Sequence, residues 1–223
     1  MELPTPKTTD TRKGSSVTHR VLDTLRHEIV TAQIPPGEIV REAEIADRLG
    51  VSKTPVREAL QSLLSDDFVM LFPRRGYVIR PVGLQDIRNI MDLRLSIEPP
   101  ITATAARRST PELAKKLEAL LRRQSDNSAP HEARLEAAND FHRTIAATAR
   151  NERAEKLLNI YFDETTRLHY LFEEANDHVV SDAELSSHQA ILDAIATKNE
   201  ERARYEMIAH LEESNDALLR SFS

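Results

Sequence analysis

Three of the eight histidines share a spacing that places them on the apolar faces of separate helices. They are His142, His188 and His210, each accompanied at helical intervals by apolar residues: Ile145, Ala146 and Ala149 with His142; Ile191, Leu192 and Ile195 with His188; Met207 and Leu218 with His210. A single imidazole in a helical core is usually a hydrogen-bonded packing residue. Three neutral imidazoles converging from separate helices, with no obvious acidic partner in the sequence, are instead typical ligands of a divalent metal. Zinc fits this donor set best, and nickel or manganese is also compatible.

A second stretch with residues that could serve a function runs from residue 41 to residue 79. Its pattern predicts two helices and a hairpin. Glu42–Leu49 has apolar residues at helical spacing, and Gly50 suits the left-handed residue that ends such a helix. A second helix begins after Ser52 or Thr54, either of which can cap it. Two strands follow at 68–72 and 77–80, joined by a basic turn. This order is typical of a winged helix-turn-helix that reads DNA grooves, although a helical hairpin with a purely structural turn is the plainer alternative.

The exposed positions of this stretch would present cations and hydroxyls to DNA. The candidate DNA-binding residues are Arg48, Ser52, Lys53, Thr54, Arg57, Arg74, Arg75 and Gly76. The net charge of the whole chain is −6, which taken alone argues against a nucleic-acid partner. Residues 1–82 carry +1 and residues 83–223 carry −7, so the acidity belongs to the second half. The case for DNA therefore depends on where the cations stand rather than on their number.

Residues 17–82 resemble the DNA-binding domain of GntR-family bacterial transcription regulators. The motifs that carry the resemblance are Pro-Pro-Gly at 35–37, ADRLGVSKTPVREAL at 46–60 and Pro-Arg-Arg-Gly at 73–76. The resemblance implies that the recognition helix starts at the Ser-Lys-Thr-Pro segment and that the wing glycine, Gly76, enters the minor groove of double-stranded operator DNA. Because one winged helix reads only a half-site, a homodimer is expected.

The rest of the composition predicts a mainly α protein. An amphipathic helix at 17–33 precedes the winged helix-turn-helix, and no glycine follows Gly83, which excludes a phosphate-cradling loop in the second half. We expect a disordered tail at 1–16, a winged helix-turn-helix of three helices and a small hairpin at 17–80, a linker at 81–83 and an antiparallel helical bundle at 84–223. The bundle has about six helices, at 85–108, 111–125, 131–150, 151–176, 182–197 and 200–222, the first kinked or broken at Pro99-Pro100. The absence of cysteine, signal peptide and membrane span indicates a cytoplasmic protein with no membrane partner.

Phe141-His142, His188 and His210-Leu211 resemble the anchors of the FCD ligand-binding domain of FadR-type regulators, and six helices resemble its VanR-like subgroup. The resemblance implies three histidine ligands and an aspartate four residues before the first. Ala138 stands there instead, so we expect Asn139, on the same helix face as His142, as a weak fourth ligand, or water in its place.

Arg94 opens a segment, Arg-Leu-Ser-Ile-Glu, that resembles a family segment on the first helix of this domain. An inward guanidinium beside a metal could clamp the carboxylate of an effector. An internal salt bridge to Glu98 at i+4 is the alternative, and the sequence leaves both open.

These patterns together predict a homodimeric transcription regulator, more often a repressor in this family, controlled by a small organic acid bound with a divalent metal. A metal-dependent enzyme with an appended DNA-binding domain is one alternative, because three histidines and an open position resemble a catalytic zinc site. The sequence has no His-Glu-x-x-His motif and no obvious general base, so we expect no enzyme activity. A regulator that senses the metal itself is the other alternative.

Overall fold

The computed structural model of the chain describes residues 11–220, and its contacts divide the chain into two compact units after Pro81. The first unit contains α1 (Thr11–Val30), β1 (Ile39–Val40), α2 (Glu42–Leu49), α3 (Lys53–Ser65), β2 (Val69–Phe72) and β3 (Gly76–Ile79). The second contains α4 (Leu84–Arg107), α5 (Pro111–Ser125), α6 (His131–Thr148), α7 (Glu152–Leu171), α8 (Glu173–His178), α9 (Asp182–Ala196) and α10 (Glu200–Arg220). The mainly helical fold class is confirmed.

The first helix differs from its prediction at both ends. Residues 1–10 of the predicted tail lie outside the described residues, and α1 begins at Thr11, within the segment predicted as a tail. No proline stands between Pro6 and Pro35, and the polar segment at 11–16 can therefore continue the helix. The helix ends at Val30, before the predicted residue 33, because Ala32 adopts a left-handed φ of 56°.

The first unit is held together by the apolar faces of α1 and α3. The buried side chains are Val21, Leu25 and Ile29 on α1 and Val56, Ala59, Leu60 and Leu63 on α3. The helix α2 spans the predicted residues, and Gly50 ends it with a left-handed φ of 64°. The turn between α2 and α3 is therefore short and has a defined conformation, which leaves the N-terminus of α3 exposed at the surface.

The sheet of the first unit has three antiparallel strands in the order β1-β3-β2. The strand β1 was not expected, because two residues are too few to show an alternating pattern. Gly76 begins β3 with a φ of 108°, and a Cβ atom there would lie 2.8 Å from the carbonyl oxygen of Val40 in β1. Backbone packing therefore requires glycine at this position, independently of any DNA contact made by the turn between β2 and β3.

The helix α4 continues through Pro99 and Pro100, so of the two predicted alternatives, a kink or a break, the break does not occur. Each proline lacks the amide that would donate to a carbonyl four residues earlier. Pro99 is nevertheless buried, and α4 packs against α6, α7, α9 and α10. Burial on several sides compensates for two lost hydrogen bonds, and it makes α4 the central helix of the second unit.

The predicted helix at 151–176 is divided into α7 and α8, so the described part of the second unit has seven helices rather than six. Phe172 separates them with extended backbone angles, φ −129° and ψ 113°, while its side chain packs onto the main apolar core. The six-helix count that suggested the VanR-like subgroup is therefore not observed. The last predicted helix reached Phe222, which lies outside the described residues, and α10 extends to Arg220. Among the described helices, none combines the length and apolarity needed to cross a bilayer.

Candidate functional site

The second unit brings the three predicted histidines together. His142 comes from α6, His188 from α9 and His210 from α10, and all three are at least 94% buried. The Nε2 atom of His142 lies 3.2 Å from Nε2 of His188 and 3.2 Å from Nε2 of His210. One nitrogen from each ring lies within 4.8 Å of the others. The sequence pattern, apolar neighbours at helical spacing on three helices, was sufficient to find this cluster.

Each histidine is oriented by a hydrogen bond at Nδ1, on the side away from its two neighbours. His142 Nδ1 lies 2.9 Å from a carboxylate oxygen of Glu98, His188 Nδ1 lies 2.8 Å from Oε1 of Gln124, and His210 Nδ1 lies 3.0 Å from Oγ of Ser187. Such outer hydrogen bonds fix the ring orientation and tautomer of histidines that bind metals.

The partners' other bonds identify Nδ1 as the donor in two of the three cases. The Nε2 amide of Gln124 donates to the carbonyl of Val179, so its Oε1 must accept from the imidazole of His188. The hydroxyl of Ser187 donates to the carbonyl of Glu184, so its oxygen accepts from His210. The carboxylate of Glu98 accepts in the same way from His142. The Nε2 lone pair of His142 therefore faces those of His188 and His210 at 3.2 Å, and lone pairs this close repel unless a cation or proton lies between them.

The expectation that these histidines lack acidic partners is wrong. Glu98 contacts His142, and the carboxylate of Glu184 lies 3.5 Å from Nε2 of His188 and 3.6 Å from Nδ1 of His210. Ser181 and Glu184 have the spacing of a capping box, in which the two residues exchange hydrogen bonds at the start of a helix. The backbone amide of Glu184 does bond the Ser181 hydroxyl, but its side chain is directed to the histidines. The available signal was its position four residues before His188 on the same helix face.

Burial and nearby charges hold these groups in the protonation states that a metal requires. Burial lowers the pKa of His210 to about 4 and that of His188 well below its ordinary value, so both imidazoles are neutral near pH 7. Burial alone would raise the pKa of Glu98, but Arg94 and His142 outweigh it and lower that pKa to about 2. Burial also acts against ionisation of Glu184, yet the neighbouring histidines hold its pKa below the usual range.

Arg94 forms the internal salt bridge that was one of its two predicted roles. Its Nε donates to Glu98 at 2.5 Å and its Nη1 donates to the Thr165 hydroxyl at 3.2 Å, with the guanidinium 5.4 Å from the ring centre of Phe162. The side chain is buried and also lines a small cavity beside His142 and His210. The salt bridge and the cavity position coexist, so an effector contact stays a prediction.

Asn139 lines the same cavity, but its amide is already used. Nδ2 of Asn139 donates to the carbonyl of Leu135 at 3.1 Å, and the residue is half-buried. Two further histidines, His169 and His178, also line the cavity. Spacing along a single helix at 151–176 does not place His178 there, because the structure begins a separate helix, α8, after Phe172.

The predicted DNA-binding residues lie on the exposed side of the first unit. Ser52, Lys53 and Thr54 are exposed at the N-terminus of α3, where free backbone amides attract phosphate. Ser52 occupies the N-cap position, although its side chain makes no capping bond. Arg74 and Arg75 are exposed in the turn between β2 and β3.

Two of the predicted arginines already have carboxylate partners within the first unit. Arg57 forms contacts of 2.8–3.1 Å with Glu42, and Arg48 forms a two-pronged pair at 2.5 and 2.7 Å with Glu28. These partners stand 15 and 20 residues away in the chain, and no local pattern could have indicated them. The pairs orient the guanidinium groups, and DNA phosphates or bases would have to share or replace them.

Comparison with known proteins identifies both units. Residues 17–79 match the bacterial regulatory proteins of the gntR family, and residues 89–213 match the FCD domain. The chain is 26% identical over 214 residues to the HTH-type transcriptional regulator McbR of Escherichia coli K12, covering 93% of this chain and 94% of McbR. It is 26% identical over 211 residues to the HTH-type transcriptional repressor RspR of the same organism, covering 91% of this chain and 89% of RspR.

A solved structure shares the fold along most of the chain. The structure of E. coli McbR/YncC superposes with a TM-score of 0.80 at 22% identity, covering 93% of this chain and 99% of that one. With an FCD domain over more than half of its length and a matching winged helix-turn-helix before it, the chain belongs to the GntR family of bacterial DNA-binding transcription regulators.

Proposed function

We propose that the protein is a homodimeric repressor whose binding to operator DNA is controlled by a small carboxylate held with a divalent metal in the second unit. The observation that carries the proposal is the convergence of three Nε2 lone pairs, from His142, His188 and His210, in a buried cluster. The outer hydrogen bonds of the three rings support a metal rather than a shared proton, because they orient the rings as metal ligands are oriented.

The donor set favours zinc. The two separations of 3.2 Å from Nε2 of His142 to Nε2 of His188 and of His210 are close to the edge of a tetrahedron whose metal–nitrogen bonds are about 2.0–2.1 Å. Nickel accepts imidazole as well but favours square-planar or tetragonal sites, and manganese favours octahedral sites made of oxygen ligands. When bound, the metal supplies positive charge and a coordination position for an oxygen ligand, and no chemical conversion is required of it.

The charge of the cavity argues that an anionic effector depends on the metal. Glu98 and Glu184 are opposed by one guanidinium, that of Arg94, and His210 is neutral near pH 7. Glu184 raises the pKa of His178, and even a full positive charge on His178 would bring the sum of these charges only to zero. Without a metal the cavity therefore has no net positive charge with which to hold a carboxylate.

Arg94 supplies the directional contact in this proposal. Its Nε and Nη1 are bonded to Glu98 and Thr165, which leaves Nη2 for an effector oxygen, while the metal takes a second oxygen of the same molecule. A carboxylate, hydroxy acid or keto acid has this pair of oxygens. Such binding draws the helices around the metal together, and α4 follows the linker from the first unit. The movement would alter the spacing or mobility of the two DNA-binding units of the dimer.

Operator binding is assigned to α3 and the turn between β2 and β3. Lys53 and Arg57 would contact the major groove, and Arg74 and Arg75 would contact phosphates or the adjacent minor groove. A repressor acting on operator DNA works in the cytoplasm. Each half of a dimer reads one half-site, which is the reason for proposing a homodimer.

The metal is tested by titrating Zn²⁺ into metal-free wild type, His188→Ala and His131→Ala, the last a histidine of α6 outside the cluster. We expect one zinc per chain in wild type and in His131→Ala, and none in His188→Ala. All three should bind operator DNA in the absence of effector, as measured by fluorescence anisotropy. A wild-type protein that takes up no zinc, nickel or manganese would show that the cluster is only a polar core.

The direct metal sensor stays as the second candidate, because the same cluster supports it. If zinc alone releases the metal-free protein from operator DNA, the metal is the signal. If release requires a carboxylate in addition, the metal is part of the effector site.

A further inference from the structure

We propose that Gln124 is a positioning residue that couples metal binding at the three histidines to the position of a cavity wall, a role that rests on the proposed metal site. Gln124 lies on α5, and its side chain is fully buried. Its Oε1 lies 2.8 Å from Nδ1 of His188, and its Nε2 donates to the carbonyl oxygen of Val179 at 2.8 Å. One side-chain amide therefore connects a ring of the cluster to the chain between α8 and α9.

Val179 belongs to the wall of the cavity beside the cluster. It follows the last residue of α8, is 3% exposed and packs against Leu135 and Ala138 of α6. These three apolar residues line the same cavity as His142 and His210. The position of Val179 therefore sets the space that the proposed effector would occupy beside the metal.

Metal binding allows only one direction of hydrogen bonding along this connection. A metal needs the lone pair on Nε2 of His188, so the hydrogen of the neutral ring must be on Nδ1. Nδ1 then donates to Oε1 of Gln124, which directs the amide nitrogen of Gln124 towards Val179. The carbonyl oxygen of Val179 can only accept, so each group along the connection meets the partner that it needs.

The opposite tautomer of His188 is favoured when no cation separates the rings. Its Nε2 lies 3.2 Å from Nε2 of His142, and a hydrogen on the former replaces the repulsion of two lone pairs by a hydrogen bond. Nδ1 of His188 is then an acceptor, and Gln124 must turn its amide to donate to it. The amide oxygen of Gln124 would face the carbonyl oxygen of Val179, and two acceptors cannot bond. Metal binding therefore restores the hydrogen bond that holds Val179.

Arg134 of α6 fixes the backbone of the same two segments. Its Nε donates to the backbone carbonyl of Gln124 at 2.7 Å, and its Nη2 donates to the carbonyl of Val180 at 3.5 Å. Neither bond depends on the tautomer of His188. Among the hydrogen bonds that the structure describes for residues 179–180, the one from the side chain of Gln124 is therefore the one whose direction a metal would decide.

Ser187 offers a matched comparison, because it orients a histidine without contacting this wall. Its hydroxyl accepts from Nδ1 of His210 and donates to the carbonyl of Glu184 on its own helix. Removal of an outer hydrogen bond from a ligating histidine lowers metal affinity about 10–100-fold. Loss of either Gln124 or Ser187 should therefore weaken metal binding, but only loss of Gln124 should also uncouple Val179 from the metal.

The test measures zinc affinity by chelator competition and hydrogen–deuterium exchange of residues 176–183, in wild type, Gln124→Met and Ser187→Ala. Methionine keeps most of the length and volume of glutamine but makes neither hydrogen bond. Zinc affinity should fall about 10–100-fold in both variants. Saturating zinc should slow exchange in this segment about 3- to 10-fold in wild type and in Ser187→Ala, the effect of one buried hydrogen bond. In Gln124→Met, zinc should leave the exchange rate of the segment unchanged.

Protection by zinc that persists in Gln124→Met, or that is lost equally in Ser187→Ala, would overturn the coupling. An unchanged zinc affinity in Gln124→Met would overturn the positioning of His188. Wild type alone gives an answer that does not depend on any variant folding, because equal exchange at 176–183 with and without bound zinc refutes the proposal.

Nitrogen NMR shifts of the imidazole rings in wild type provide a readout that a purely structural role of Gln124 would not move. His188 should carry its hydrogen on Nδ1 when zinc is bound and on Nε2 when the metal is removed. A hydrogen on Nδ1 in both states would contradict the change of tautomer. Failure of wild type to bind any metal refutes the metal site itself, whereas normal metal binding without these changes refutes only the role of Gln124.

Discussion

Replacing Arg94 by alanine should destabilise the second unit strongly, because the change isolates a buried carboxylate. Arg94 and Glu98 are 5% and 3% exposed in their side chains and form an ion pair one turn apart on α4. Glu98 also receives the Nδ1 hydrogen of His142. Loss of the guanidinium would leave Glu98 ionised in an apolar environment or force it to take up a proton.

The expected cost follows from the burial of both partners. Removal of one member of a buried ion pair costs about 3–5 kcal/mol, a large share of a total stability of about 5–15 kcal/mol. For a unit of this size, each kcal/mol corresponds to a change in melting temperature of about 2–4 °C. We therefore expect metal-free Arg94→Ala to melt about 10 °C below wild type.

The assay is thermal unfolding followed by circular dichroism, with the double variant Arg94→Met, Glu98→Gln as the matched control. Methionine keeps most of the side-chain volume, and glutamine keeps an acceptor for His142 Nδ1. Without either charge the double variant should melt close to wild type. A single variant as stable as wild type would refute the buried ion pair. The double variant is also the better test of effector binding: it should retain zinc and operator binding but lose release by the effector.

Three further predictions concern the turn between β2 and β3, the recognition helix α3 and the pH dependence of stability. Gly76→Ala should lower the free energy of unfolding in urea by about 2–4 kcal/mol, because it combines a φ of 108° with a clash against β1. Gly50→Ala, which has no atom within 4 Å of its Cβ, should lower it by only about 1 kcal/mol. Equal losses in the two variants would contradict the close approach of Gly76 to β1. Arg57→Ala should weaken operator binding about tenfold or more and relax selectivity at one base pair; unchanged anisotropy titrations would exclude Arg57 from base reading. Because His210 has a pKa of about 4 when folded and 6.5 when unfolded, the unfolded chain binds more protons below pH 6.5. The free energy of unfolding of metal-free wild type should therefore fall by about 2 kcal/mol between pH 7 and pH 5 because of this residue. This contribution is absent in His210→Gln. Matching urea midpoints for the two proteins at both pH values would contradict the prediction.

The periodicity of apolar residues predicted the structural features that are determined within a single helix. The bounds of α2, the C-cap at Gly50 and the inward direction of His142, His188 and His210 all follow from residues within two turns of one another. Local rules also gave the Arg94–Glu98 pair at i+4 as one of two alternatives. These features are predictable because their causes are local in the chain.

Features set by packing between elements were missed. The strand β1 exists only through pairing with β3, and α4 remains helical across two prolines only because neighbouring helices bury it. The break at Phe172 likewise reflects a side chain drawn into the core rather than a helix-breaking residue. Propensity is a weak guide wherever tertiary burial outweighs it.

The acidity of the second unit and the proposed anionic effector are compatible only if charge is distributed unevenly. Residues 83–223 carry a net charge of −7, yet long-range repulsion is screened within about 10 Å in ordinary salt. The proposed effector would meet the interior cavity, which Glu184 and Arg94 line, and the guanidinium of Arg94 is already paired with the carboxylate of Glu98. A divalent metal reverses that local balance. In the proposed mechanism the metal therefore binds first and the carboxylate second, and a regulator built in this way would respond to its effector only in cells that supply the metal.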